Sequence, residues 1–108
     1  MHYIFEVVAK ADYSIEQYAE AWLAASKLIQ QADGACGTRL HRCLNNPKRA
    51  LAIASWTSKA HRDAMDASMS DEIRDIISEQ SRYVDVRLIG EFATADWEAL
   101  PSGLLKEG

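Results

Sequence analysis

The segment GACGTRLHRCLNNPKRALAIASW, residues 34–56, contains two stretches with the character of β-strands on either side of a turn. The first stretch is CGTRLHRCL (36–44), and the second is RALAIASW (49–56). Between them lies NNPK (45–48), where asparagine tolerates left-handed dihedral angles and proline fixes one. The segment therefore predicts two consecutive strands joined by a short turn.

The sequence before this segment predicts a strand and then a helix. Residues 2–9, HYIFEVVA, are rich in β-branched and aromatic residues and predict the first strand. Ser14 and Gln17 form a capping box, and apolar residues then recur at helical spacing. Gly34 stands where a helix is expected to stop, so we predict this helix over residues 15–32.

The sequence after the segment predicts more helix and a last strand. Ser58 is placed to cap a helix over 59–67, and Ser70 caps a second, short helix whose first turn contains Asp71 and Glu72. The last strand is predicted at 82–92. The order of elements is therefore β-α-β-β-α-β, which is the ferredoxin-like plan of the α+β class. That plan is a four-stranded antiparallel sheet with its helices on one face.

The chain has 108 residues and a formal charge of −4, and 48% of its residues are hydrophobic. This length predicts one folded domain, at residues 1–92, followed by a tail at 93–108. The acidic balance argues against a nucleic-acid partner, and no apolar run approaches the roughly 20 residues that span a bilayer. We expect no signal peptide and a cytoplasmic protein with reduced thiols.

The tail ATADWEALPSGLLKEG is richer in large apolar residues than disordered termini usually are. It contains Trp97, Leu100, Leu104 and Leu105. We expect one helical turn around Trp97, and we expect the tail to dock on a second subunit.

The cysteines and histidines do not form a metal-binding pattern. In an extended strand Cys36 and Cys43 lie about 23 Å apart on opposite faces, so they cannot form a disulfide with each other, and their spacing is not that of a zinc site. We interpret both as packing residues. His2, His41 and His61 are scattered over two strands and a helix. We expect His61 on the surface, and His41 is either an interface residue or a candidate for chemistry.

The period of two in the strands divides the sheet into an apolar and a polar face. The apolar face, which we expect under the helices, contains Tyr3, Phe5, Val7, Val84, Val86 and Leu88. The opposite face contains Glu6, Arg39, His41, Asp85 and Arg87. These charges predict either a paired polar network in a dimer interface or a catalytic acid/base cluster.

The third strand is unusual because Ala50, Ala52 and Ala54 alternate along one side and end at Trp56. Cores normally fill such positions with larger side chains. The free volume is taken either by close packing of a helix or by a pocket, with Trp56 at its rim.

Together these elements resemble the antibiotic biosynthesis monooxygenase family of dimeric α+β barrel proteins. The resemblance covers residues 1 to about 92. It rests on a glycine-containing turn from helix to strand and on a strand that ends in Trp, one further residue and a helix-opening Ser. Here these are Gly34, Gly37, Trp56 and Ser58. The resemblance implies a homodimer in which two sheets pack face to face.

The resemblance also has implications for chemistry. Quinone-forming members of the family oxidise polycyclic aromatic phenols with oxygen and without metal or flavin, using a Trp like Trp56. Their Asn and Tyr positions correspond here to Ala52 and Arg62. The positions that haem-degrading relatives use fall near Glu6, Ala64 and Arg74. None of these three matches, so we exclude haem degradation.

The sequence therefore predicts a small cofactor-independent monooxygenase-like homodimer acting on an aromatic, polyketide-like molecule, or a lactone isomerase of the same fold. We expect no metal and no cofactor. The predicted substrate-binding residues are Trp56, Ala52, Ala54 and Phe5, and the predicted proton-transfer residues are His41 and Tyr83. The alternative is a non-catalytic dimer that binds a small molecule or is associated with stress.

Overall fold

A computed structural model describes residues 1–102 and shows four strands and three helices. The elements follow the chain as β1 (His2–Ala9), α1 (Ile15–Ile29), β2 (Ala35–Arg42), β3 (Arg49–Trp56), α2 (Lys59–Ala67), α3 (Asp71–Gln80) and β4 (Val84–Phe92). The sheet is antiparallel, with strand order β2-β3-β1-β4. The predicted α+β, ferredoxin-like fold is confirmed.

The helix starts follow from hydroxyl caps, as predicted. Ser14 accepts a hydrogen bond from the backbone N–H of Gln17, and the Gln17 side chain accepts one from the backbone N–H of Ser14. Ser58 and Ser70 begin α2 and α3 in the same way, each accepting from the backbone N–H three residues on. Each cap satisfies one of the amide groups that a helix N-terminus leaves without an intrahelical partner.

Three predicted boundaries are wrong by a few residues. Helix α1 ends at Ile29 instead of residue 32, because the chain turns through Gln30–Ala32 before Gly34 takes φ +82°. Strand β2 ends at Arg42 instead of residue 44. Strand β4 begins at Val84 instead of residue 82, because a turn bonds the N–H of Tyr83 to the carbonyl of Gln80.

The core lies between the sheet and α1. Tyr18 and Trp22 of α1 pack with Val7, Ala50 and Val84 of the sheet, and Tyr18 and Val7 have no exposed surface. Ala50 is small because the rings of α1 fill the space above it. Close helix packing, one of the two interpretations of the alanine row, therefore applies to this end of β3.

The predicted charged residues share one face of the sheet, but that face is not purely polar. Cross-strand pairing places Leu40 opposite Ala52, and His41 opposite Leu51. Since neighbouring residues of a strand point to opposite faces, His41 lies on the face away from the helices. That face also presents Ile53 and Leu51, which are half-buried.

In the described part of the tail, the predicted helical turn around Trp97 is not formed. Residues around Trp97 form a bend, and the Trp97 side chain is 90% exposed. Leu104 and Leu105, which belong to the same prediction, lie outside the described residues. Within residues 1–102 no helix combines the length and the apolar composition that crossing a bilayer requires.

Candidate functional site

A cavity of about 290 Å³ lies between the sheet and the helices. Its floor contains Tyr3 and Phe5 of β1 and Ala54 and Trp56 of β3. Ala54 leaves room above the sheet, since the side chains of α1 that cover Ala50 do not fill the space above Ala54. The second interpretation of the alanine row, a pocket, therefore applies to this end of the strand.

The cavity wall is mainly apolar and aromatic. Trp22 and Ile29 from α1, Met65 from α2 and Ile77 from α3 complete it. An apolar cavity of about 150 Å³ can take up a benzene molecule, so the space here matches a ligand of one or two rings. The flat faces of Trp22 and Trp56 suit an aromatic ligand, because offset or edge contacts between rings add to the burial of their surface.

A few polar groups point to the same space. Arg62 and Asp66 of α2 line the cavity, as do Ser26 and Gln80. The guanidinium of Arg62 lies over the Tyr3 ring, 4.0 Å from its centroid. The Tyr18 phenol also lines the cavity, and burial raises its pKa above the ordinary range. Tyr18 is therefore a neutral hydrogen-bonding group at neutral pH and not a base.

Sequence reasoning did not assign a site role to Arg62 or to Asp66. The available signal is the spacing of Arg62, Met65, Asp66 and Met69, which follow one another at helical i, i+3, i+4 and i+7 positions. All four line the cavity. Two of these residues are charged and two are apolar, so the shared spacing is hard to see, because a helix face is normally recognised by its apolar residues.

The structure brings three of the predicted substrate-binding residues together. Phe5, Ala54 and Trp56 all line the cavity. Ala52 is fully buried and pairs with Phe5 and Leu40 across the sheet, so it supports the floor without lining the space.

The two predicted proton-transfer residues do not reach this cavity. His41 lies on the opposite face of the sheet. Tyr83 lies in the turn just before β4, where its ring packs edge-on against Tyr13 with centroids 5.1 Å apart. Neither residue can exchange a proton with a ligand in the cavity of the same subunit.

A second hollow of about 430 Å³ lies beside α2 and is a less suitable site. It is lined by residues such as Asp33, His61 and Ser68, and no strand contributes to it. It is a shallow surface groove, so it buries less of a ligand than the cavity over the sheet. We therefore take the smaller, more enclosed space as the candidate site.

The polar face of the sheet contains a paired network centred on Glu6. Arg49 donates from Nε to the Glu6 carboxylate at 2.6 Å, and Arg87 Nε lies 3.5 Å from the other carboxylate oxygen. The hydrogen bond from Arg49 holds the pKa of Glu6 below its usual value, with a smaller contribution from Arg87. The pairing fits the network interpretation, and it adds Arg49, which the sequence-based set did not include.

His61 is not the surface residue that we expected. It is half-buried, its Nδ1 lies 2.7 Å from Ser58 Oγ, and its ring packs against Gly34. A methyl group at position 34 would overlap the His61 ring. The turn before β2 therefore needs a glycine for contact as well as for its positive φ.

Both cysteines are free thiols. Cys36 is exposed and Cys43 is half-buried beside Asn45. In the part of the chain that the structure describes, no three His, Cys, Asp or Glu side chains are grouped to hold a metal ion.

Comparison with solved structures identifies the fold. SnoaB, a cofactor-independent oxygenase from Streptomyces nogalater, has a TM-score of 0.68 at 10% identity, over 89% of this chain and 96% of that one. A protein from Nitrosomonas europaea, provisionally assigned as an antibiotic biosynthesis monooxygenase, gives 0.65 at 12% identity over 82% and 86%. A protein of unknown function from Bacteroides thetaiotaomicron gives 0.68 at 9% identity over 81% and 89%.

The chain thus has the ferredoxin-like α+β fold of the antibiotic biosynthesis monooxygenases, and the resemblance carried by Gly34, Gly37, Trp56 and Ser58 is confirmed at the level of the fold. No protein-family model matches the chain, and no curated protein matches it by sequence.

Proposed function

We propose that this protein binds a small aromatic phenol in the cavity over Ala54 and oxidises it with molecular oxygen, without a cofactor. The observation that carries the proposal is the cavity itself, a mainly apolar space of about 290 Å³ between sheet and helices with aromatic walls and a few polar groups. The fold shared with SnoaB supports the reaction type.

The reaction balances without any further oxidant. For 1-naphthol, the substrate and one O₂ give 1,4-naphthoquinone and one water. The phenol first loses its proton, and the resulting electron-rich ring carbon then forms a bond to oxygen. Cleavage of the O–O bond and loss of the ring C–H proton give the second carbonyl and release water. Oxygen is reduced by four electrons and the ring is oxidised by four.

Within this proposal the residues have distinct roles. Trp56 and Trp22 hold the ring, and the apolar wall excludes water from the oxygen adduct. Asp66 is the carboxylate among the described residues of the cavity wall, and it is an exposed residue. Asp66 can accept the phenolic proton and pass it to solvent. In this proposal Asp66 takes the proton-transfer role that the sequence predicted for His41 and Tyr83.

A non-catalytic binding protein is the second candidate. The observation that favours it is the small number of groups in the cavity that can accept a proton. Burial raises the pKa of Tyr18, so its phenol stays neutral, and Asp66 is the one carboxylate among the described residues that line the cavity. A lactone isomerase would also need a proton-transfer group in this space, so it faces the same restriction.

We further propose a homodimer formed through the sheet face that carries Leu51 and Ile53. A half-apolar open face gains stability when a second copy covers it. Free Cys36 and Cys43 support a reducing compartment such as the cytoplasm.

Oxygen consumption tests the function directly. The purified protein should consume oxygen with 1-naphthol and form 1,4-naphthoquinone at its 1:1 stoichiometry. Asp66→Asn should lower the rate by about 10²-fold or more while binding is kept. The exposed Asp75→Asn serves as the control. Ligand binding without oxygen uptake would favour the non-catalytic candidate, and absence of both would refute the proposal.

A further inference from the structure

We propose that the ligand of the cavity carries a carboxylate, which Arg62 binds, so that the substrate is a hydroxylated aromatic acid of one or two rings. This inference rests on the proposed function and narrows its substrate class. It follows from the position of Arg62, from the groups around it and from the shape of its side chain.

Arg62 is a cavity residue that is largely withdrawn from water. Its side chain is 20% exposed, and the face of its guanidinium lies on the Tyr3 ring at 4.0 Å. Stacking engages the face of the group and leaves the N–H groups along its edge free to donate. A guanidinium has five such N–H groups and no means of losing its charge at neutral pH.

No described residue forms a close ion pair with Arg62. The nearest recorded carboxylate is that of Asp63, at 4.0 Å. Asp63 is already paired with Lys59, at 3.2 Å, and its side chain is 50% exposed. Lys59 in turn binds Glu91 at 3.0 Å, so these groups form a separate surface network along α2 and β4. Burying a cation costs free energy that a close anion offsets, and here a ligand can supply that anion.

Asp66 is the other charged group of the cavity, and it does not take this role. It is an exposed residue that lines the cavity one helical turn after Arg62, and no ion pair between the two is recorded in residues 1–102. Asp66 is exposed, whereas the Arg62 side chain is only 20% exposed. The less solvated charge gains more from a ligand of opposite sign.

The planar guanidinium favours a carboxylate over a phenolate. Its fork donates two parallel N–H groups, and these match the two oxygens of a carboxylate. A phenolate offers one oxygen. With the acid group at Arg62, the ring system extends over Ala54 toward Trp56 and Trp22, which together line the same space.

Calorimetric titration with three related probes tests this assignment. The probes are 6-hydroxy-2-naphthoate, its uncharged amide 6-hydroxy-2-naphthamide, and 2-naphthol, which has the hydroxyl group and neither the carboxylate nor the amide. We expect the carboxylate to bind about ten to a hundred times more tightly than the amide. Arg62→Met should remove that advantage and change the affinities for the amide and for 2-naphthol less than twofold.

Two further variants test whether the preference for the carboxylate depends on the guanidinium of Arg62. Arg62→Lys keeps the charge and loses the fork, so it should retain part of the preference for the carboxylate. Arg82→Met, at an exposed arginine paired with Glu79, is the matched control and should leave all three affinities unchanged.

The outcomes separate this inference from the proposed function. Equal binding of carboxylate and amide, or an equal loss for all three probes in Arg62→Met, would overturn the role of Arg62 while the aromatic cavity stands. Failure of all three probes to bind would overturn the cavity as a ligand site, and this inference with it.

Discussion

Two alanines on the same face of β3, Ala52 and Ala54, have different surroundings. Ala52 is fully buried beneath the core, whereas Ala54 faces the cavity. The same substitution at the two positions should therefore have opposite effects on stability and on binding.

We expect Ala54→Leu to abolish binding of naphthol-sized ligands with little loss of stability, because the larger side chain grows into free space. Ala52→Leu should instead destabilise the protein by about 1–3 kcal/mol, because there is no room for it. Chemical denaturation and ligand titration of both variants measure the two effects. A stable Ala54→Leu protein that still binds its ligand normally would show that the cavity is not the site.

Glu6 makes the stability of the protein depend on pH at the acid end. Its pKa is lowered in the folded state by Arg49 and then by Arg87, so the folded state favours the ionised form. This stabilisation is complete above the ordinary glutamate pKa of about 4.3 and is lost as the pH falls through the lower, folded value.

Glu6→Gln should therefore lower the urea midpoint of unfolding at pH 7. The midpoint of this variant should also fall less than that of the wild type between pH 5 and pH 3. Glu20→Gln, at an exposed position on α1, is the control and should follow the wild type. Parallel curves for wild type and Glu6→Gln over this range would show that the ion pairs do not stabilise the fold.

At the scale of elements, an irregularity in β4 decides which of its side chains meets α2. In β4 the pairing passes from Phe5–Leu88 to Ile4–Gly90, so Ile89 is an extra residue. A bulge of this kind reverses the parity of the strand beyond it. Glu91 consequently pairs with Tyr3 on the helix face, where it reaches Lys59.

The turn between α1 and β2 is held to α2 by the contact of Gly34 with His61. Gly34→Ala should destabilise the protein by more than the roughly 1–3 kcal/mol that a strained backbone costs, because the added methyl group also overlaps the His61 ring. Gly37→Ala is the matched control: φ is +99° there, but the nearest atom to an added Cβ is 3.8 Å away.

The difference between the free energies of unfolding of these two variants, measured in urea, gives the cost of the contact between position 34 and the His61 ring. Adding His61→Ala to Gly34→Ala should recover part of the lost stability. Equal destabilisation at positions 34 and 37 would mean that the ring moves aside without cost.

At the scale of the whole molecule, the open sheet face is the surface that a second copy should cover. Sedimentation at micromolar concentration should give a mass near twice the 12.1 kDa of the chain. Ile53→Glu places a charge in the centre of that face and should shift the protein toward monomer, whereas Leu23→Glu, on the exposed side of α1, should not. A wild-type species of 12.1 kDa alone would refute the dimer.

The tail belongs to the same scale, because no described residue of the subunit covers Trp97. Trp97 is 90% exposed and Leu100 is exposed as well. Burying them on the partner would contribute about 25 cal/mol per Å² of apolar surface, less the cost of ordering the chain. Truncation after Ala93 should therefore weaken the dimer and lower its melting temperature, and unchanged values would leave the tail without a role in assembly.

The element order, the three serine caps and the division of the sheet into two faces were determined by the sequence alone. These features depend on local rules, namely the side-chain period of a strand and the hydrogen bonds of a helix start, and a single segment contains all the information. The same rules placed Ala54 and Trp56 on one face of β3, and the pairing of Phe5 with Ala52 in the structure puts Phe5 on that face.

Only the tertiary structure decided which of those positions opens onto a cavity. Ala52 and Ala54 are equivalent by period, but Ala52 is fully buried and Ala54 lines the cavity. His41 lies on the sheet face opposite the cavity, so it is not part of the site. Arg62 and Asp66 are part of the site because α2 packs over the cavity. Free volume and charge contacts arise between segments far apart in sequence, so no local pattern contains them.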